Sequence, residues 1–77
     1  MTVYGRGYCH LCEEMIADLR CFPAERAFEV EIVDVDSSAE LEGRYGDRVP
    51  VLVAGGRELC CHRFDPAALT AYLRGLG

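Results

Sequence analysis

Lysine is absent from the 77 residues, and the eight positive side chains, all arginine, face thirteen Asp and Glu for a net charge of −5. So acidic a balance disfavours nucleic acid as a partner. The use of arginine alone carries no mechanism by itself. Also missing is any apolar run near the roughly 18 residues that a membrane-crossing helix needs, so no membrane partner is expected. Met1 leads straight into the apolar Thr2-Val3-Tyr4, without the charged and apolar regions of a secretory leader, and no signal peptide is expected. Linkers, internal repeats and low-complexity stretches are lacking too. One domain, residues 1–77, accounts for a chain this short.

What the chain does have is cysteine, five of them, within a composition that is 51% hydrophobic. A small secreted scaffold stapled by disulfides is one reading of that content. The odd count argues against it, as do ordinary helix and strand patterns with enough apolar residues for a core. A cytoplasmic dithiol protein fits better.

Cys9-His10-Leu11-Cys12 is the most informative segment. It follows a short apolar strand and opens an amphipathic helix, so the first sulfur lies at a helix N-terminus. Free backbone N–H groups and the positive dipole end there favour thiolate over thiol. The second sulfur, one turn later, is placed to attack the first when it is held in a mixed disulfide. Such a dithiol carries out thiol–disulfide exchange. A C-x-x-C is also half of a zinc site, but neither a second C-x-x-C nor an H-x-x-x-H accompanies it. Further on, Val49-Pro50 enters the strand-like Val51-Leu52-Val53, and proline is tolerated at a strand's first residue. Strand, C-x-x-C, helix and a later Val-Pro at a strand entrance are together far more specific than either piece.

The rest of the order reads β-α-β-α-β-β-α. Cys12, Met15, Ile16 and Leu19 share one face of a helix over residues 10–20, closed by Pro23. Phe28, Val30 and Ile32 alternate with glutamates and run on to Val33 and Val35, predicting a strand. Ser37-Ser38-Ala39-Glu40 reads as a capping box for a short helix ending by Gly46. Gly55-Gly56 joins a hairpin, and Asp65-Pro66 caps a last helix with Leu69, Tyr72, Leu73 and Leu76 inward. A right-handed βαβ crossover plus a hairpin makes a small α/β domain with a mixed sheet.

Taken together, this order, Arg6-Gly7-Tyr8-Cys9-His10-Leu11-Cys12 and Arg48-Val49-Pro50 resemble the glutaredoxin branch of the thioredoxin fold over nearly the whole chain. The nearest resemblance is to small bacterial glutaredoxin-like proteins with C-H-L-C and a V-P-V-L strand. The resemblance implies a four-stranded sheet in the order second–first–third–fourth strand, with helices on both faces. It implies Cys9 as nucleophile, Cys12 as resolving thiol, and a cis Pro50 that with Val49 shapes the substrate groove. Arg6 stands where glutaredoxins carry a lysine that contacts glutathione. The inner pair His10-Leu11 replaces the usual Pro-Tyr, Arg48 replaces a threonine, and Cys60-Cys61 align with a Gly-Gly that lies against glutathione. Those departures predict weak glutathione binding and leave dithiol exchange intact. Redoxins that serve ribonucleotide reductase share such departures and draw on thioredoxin reductase, so glutathione and thioredoxin reductase are the two candidate electron donors. No resident cofactor is expected, and the substrate is a protein or small-molecule disulfide.

Other residues complete the expected site. His10, when protonated, would help to hold a thiolate on Cys9. Arg6, Arg48 and Arg63 would rim the site and meet carboxylates of glutathione or of an acidic peptide. The helix start at Asp65-Pro66 offers N–H groups for the same purpose, opposed by the Asp65 carboxylate. Tyr8 is an aromatic lip over the substrate or a packed side chain. Cys60 and Cys61 are possible accessory thiols, although neighbours in a strand point to opposite faces and Cys60 can serve as a small hydrophobe. A rival reading joins Cys9 and Cys12 to Cys60-Cys61-His62 as a soft-metal or iron–sulfur module.

Overall fold

The computed structural model describes residues 1–23 and 28–75. Its elements are β1 (Thr2–Gly5), α1 (His10–Arg20), β2 (Glu31–Asp34), a 3-10 turn (Val35–Ser37), α2 (Ala39–Tyr45), β3 (Val51–Ala54), β4 (Arg57–Cys61) and α3 (Pro66–Gly75). The strands form one sheet in the order β2-β1-β3-β4, with β1 parallel to β2 and antiparallel to β3, which is antiparallel to β4. This is the α/β arrangement that the thioredoxin-like resemblance implied.

Alternation along the two central strands divides the interior between the faces. Val3 and Leu52, opposite each other, face Met15 and Leu19 of α1 and Leu69 of α3. Val51, opposite Tyr4, faces Val35 and Tyr45, and the rings of Tyr4 and Tyr45 stack with centroids 4.2 Å apart. Helices therefore cover both sides. Met15 and Leu19 sit one turn apart on α1, and both are essentially removed from water.

Three details differ from the sequence reading. The second strand begins at Glu31, not Phe28; Phe28 and Val30 instead pack against the first cluster as the chain enters the sheet. Ile32 remains half-exposed because β2 is an edge strand. The α2 cap is Ser38, whose hydroxyl accepts from the Leu41 N–H at 3.4 Å. The Ser37 hydroxyl donates instead to the Asp34 carbonyl at 2.6 Å, inside the 3-10 turn. That turn uses the residue the capping box needed. Leu76, expected inward on the last helix, lies outside the described residues.

The hairpin follows its glycines: Gly55 and Gly56 have φ of 57° and 75°, the left-handed pair of a type I′ turn. Past it, the pairing of β3 with β4 shifts register between Leu52 and Val53. Bulges of this kind put two residues of one strand opposite one of the other. Both Leu59 and Cys60 consequently pack against the first cluster, and Cys61 turns to the second.

Candidate functional site

The topology gathers three strand ends. Tyr4, near the end of β1, pairs with Val51 at the start of β3, which pairs with Cys61 at the end of β4. The chain leaves β1 through Arg6-Gly7-Tyr8 and enters α1 at this end of the sheet. Pro50 precedes β3, buried, and its peptide bond with Val49 is cis. Its carbonyl accepts from the His62 N–H at 2.8 Å, tying the β3 entrance to the β4 exit.

Cys9 is the N-cap of α1, in extended conformation, and its sulfur accepts from the Cys12 backbone N–H at 3.0 Å. That N–H is one of those which a helix leaves without an internal partner, so the cap that stabilises the helix also places a donor on the sulfur. Cys9 and Cys12 form a disulfide across a Cα–Cα separation of 5.1 Å. Exposure differs between them: Cys9 is half-buried, whereas Cys12 is only 3% exposed. Cys9 is therefore the more accessible residue of the pair. Behind Cys12 lies Gly5, whose missing side chain admits the sulfur; nothing local in the sequence singled it out.

The three arginines expected at the rim are placed differently from one another. Arg6 pairs with Asp36, approaches Glu42 at 2.6 Å and donates to the Gly46 carbonyl at 2.8 Å. Arg48 pairs with Glu58, donates to the Arg44 carbonyl at 2.7 Å and lies 5.8 Å from the Tyr45 ring centroid. The Glu58 hydrogen bond holds its guanidinium pKa above the ordinary value. Arg63 is exposed and borders, with His62 and Phe64, a cavity of about 200 Å³ against Leu11, Glu14 and Asp18 of α1. The N–H groups of Ala67 and Ala68, at the start of α3, are taken by the Asp65 carboxylate at 3.1 and 3.2 Å.

His10 is exposed, with its ring nitrogens 3.9 and 3.8 Å from Glu13 and Glu14 on the outer face of α1. Tyr8 is fully exposed beside Cys9, not packed. Val49 is partly buried against the Val35–Tyr45–Val51 cluster. Cys60 packs in the first cluster, and burial pushes its thiol pKa up. Cys61 is on the opposite side of the sheet with Tyr45 and Val51. His62 has φ of 66°, and the Arg63 N–H reaches the Cys61 carbonyl at 2.7 Å across it, a γ-turn that swings the chain toward α3.

Among the described residues, no three His, Cys, Asp or Glu side chains come together as a metal-ligand group. The five residues of the rival metal reading are divided between the dithiol, two faces of the sheet and an exposed turn. No described helix is long and apolar enough to cross a membrane.

Residues 1–74 match the family described as glutaredoxin-like domain (DUF836). Two solved structures are similar over most of the chain. Protein Ne2328 from Nitrosomonas europaea, determined by solution NMR, is 46% identical with a TM-score of 0.80, over 92% of this chain and 86% of that one. Protein XcR50 from X. campestris, determined by X-ray, is 41% identical with a TM-score of 0.77, over 96% of this chain and 95% of that one. No curated protein matches.

Proposed function

The chain belongs to the glutaredoxin-like domain family, and from that thiol redox role we propose a specific activity, reduction of disulfides through the Cys9–Cys12 dithiol. One observation carries the reading. The sulfur of the half-buried Cys9 caps a helix and accepts a backbone N–H, with the buried Cys12 within disulfide reach.

The steps follow from that arrangement. The Cys9 thiolate attacks one sulfur of a substrate disulfide, and the other substrate sulfur leaves as a thiolate and takes a proton. Cys12, deprotonated, then attacks Cys9 in the mixed disulfide, releasing the second substrate thiol and leaving Cys9–Cys12 oxidised. Val49 and Pro50 form one side of the substrate groove, with Tyr8 as its exposed lip and Arg63 at its margin. Substrates are protein or small-molecule disulfides, and the working compartment is the cytoplasm. Resetting the pair requires a thiol donor. Glutathione is expected to serve poorly, because Arg6 and Arg48 are engaged with the chain's own acids, and a thioredoxin reductase is the favoured source.

The test is reduction of a model disulfide, run with glutathione plus its reductase and separately with thioredoxin reductase. Cys9→Ser should abolish turnover, and Cys12→Ser should accumulate a mixed disulfide visible by mass. Turnover surviving in Cys9→Ser would refute the assignment.

A further inference from the structure

Gly5 ends β1 opposite Asp34, buried in the sheet. Its φ lies outside the left-handed region, so the backbone does not require glycine there. The neighbouring sulfur does. A Cβ on Gly5 would stand 3.0 Å from the Cys12 Sγ and 3.3 Å from the Cys12 Cβ, at the edge of what side chains tolerate. Two residues on, a Cβ on Gly7 would meet nothing within 4 Å. Beside this contact is a cavity of about 200 Å³, lined by Gly5, Gly7, Cys12 and Ile16 among mostly apolar atoms.

We propose that Gly5 is a positioning residue for the redox pair: its missing side chain forms the seat in which the disulfide holds the Cys12 sulfur, and so sets how readily Cys9–Cys12 is reduced. In the disulfide that sulfur is tethered twice, to α1 through its own Cβ and to Cys9 through the S–S bond. It cannot leave its seat without dragging Cys9.

Reduction releases one tether. A thiolate of a dithiol donor attacks the Cys9 sulfur, and the Cys9–Cys12 bond breaks with its electron pair passing to Cys12, which takes up a proton. The donor's second thiolate attacks the donor sulfur of the mixed disulfide, and Cys9 leaves as a thiolate. The donor loses two electrons and ends as a disulfide, and the pair gains two and ends as a dithiol. The Cys12 sulfur, no longer tied to Cys9, is then free to turn about its Cα–Cβ bond and ease its contact with residue 5. A methyl group at residue 5 therefore presses harder on the oxidised form than on the reduced one.

The inference rests on the exchange reading only in sharing its dithiol, and its test uses no substrate. Protein is equilibrated against mixtures of oxidised and reduced dithiothreitol, quenched in acid, alkylated and counted by mass. Gly5→Ala should move the equilibrium about threefold to tenfold toward the dithiol, equivalent to about 15–30 mV for a two-electron couple. Gly7→Ala should leave it in place. An unchanged equilibrium, a shift toward the disulfide, or an equal shift in Gly7→Ala overturns the proposal. Urea unfolding in both redox states gives the same quantity independently, since Gly5→Ala must cost more stability oxidised than reduced. If Gly5→Ala fails to fold, removing the sulfur in Gly5→Ala/Cys12→Ala should restore folding, and failure to do so overturns the proposal. A shifted equilibrium without substrate turnover would condemn the exchange reading and leave this one standing.

Discussion

Two cysteines three residues apart have different surroundings, and the proposed division of labour rests on that difference. Cys9 has an N–H donor and partial access, whereas Cys12 is almost wholly buried. In the reduced protein at neutral pH, iodoacetamide should label Cys9 faster than the other four cysteines. Site-resolved mass measurement checks this, and faster labelling elsewhere would refute it. Cys60 bears on stability. Burial raises its pKa, so above about pH 8.5, the ordinary thiol value, the unfolded chain loses a proton that the folded chain keeps. Folding stability contributed by Cys60 is thus complete below that pH and lost as pH rises toward the folded value. The fall in urea midpoint over that range should be shallower in Cys60→Val than in the parent; equal slopes would show that burial of this thiol has no such effect. The dithiol was legible because its chemistry depends on three residues of spacing and one helix end. The contacts of Arg6 and Gly5 were not legible, because Arg6 finds Asp36 thirty residues away and Gly5 meets the Cys12 sulfur only through the packing of α1 on the sheet.

At the scale of elements, periodicity located the helices and most strands, and local competition moved their ends. Asp34 and Ser37 close a 3-10 turn upon themselves, which passes the α2 cap to Ser38. Ser38→Ala should cost about 0.5–1 kcal/mol by urea unfolding, the low end for an N-cap because the bond is long. Alternation alone would put Leu59 and Cys60 on opposite faces, but a bulge changes the count of residues facing one side and leaves no mark in composition. The exit of β4 shows the same kind of hidden demand. His62 adopts a φ of 66°, where a side chain costs about 1–2 kcal/mol and glycine costs little. Glycine returns about 0.5–1 kcal/mol of that through the unfolded chain, so His62→Gly should stabilise the protein by a net of about 0.5–1 kcal/mol. A lower urea midpoint in that variant would mean that the imidazole makes a contribution larger than the backbone relief.

For the whole molecule, charge is the property that bears on the choice of reductant. The chain carries −5, and two of the three arginines expected around the dithiol are neutralised at short range, Arg6 by Asp36 and Glu42 and Arg48 by Glu58. The protein extends 36 × 22 × 17 Å. With a screening length of about 30 Å at 0.01 M salt, most of its charges are felt at the dithiol, whereas at 0.1 M the length is about 10 Å and only neighbours count. Glutathione in its thiolate form is a net anion, so the acidic surface should repel it at low salt. The second-order rate at which glutathione reduces Cys9–Cys12 should therefore rise several-fold from 0.01 to 0.2 M salt. Cysteamine, whose thiolate form is a zwitterion, attacks by the same chemistry without net charge, and its rate should change little. Acid quenching, alkylation and mass analysis follow both reactions at fixed pH. A glutathione rate that falls with salt would mean that a local cationic field outweighs the acidic surface, and that the arginines attract anions in spite of their internal partners.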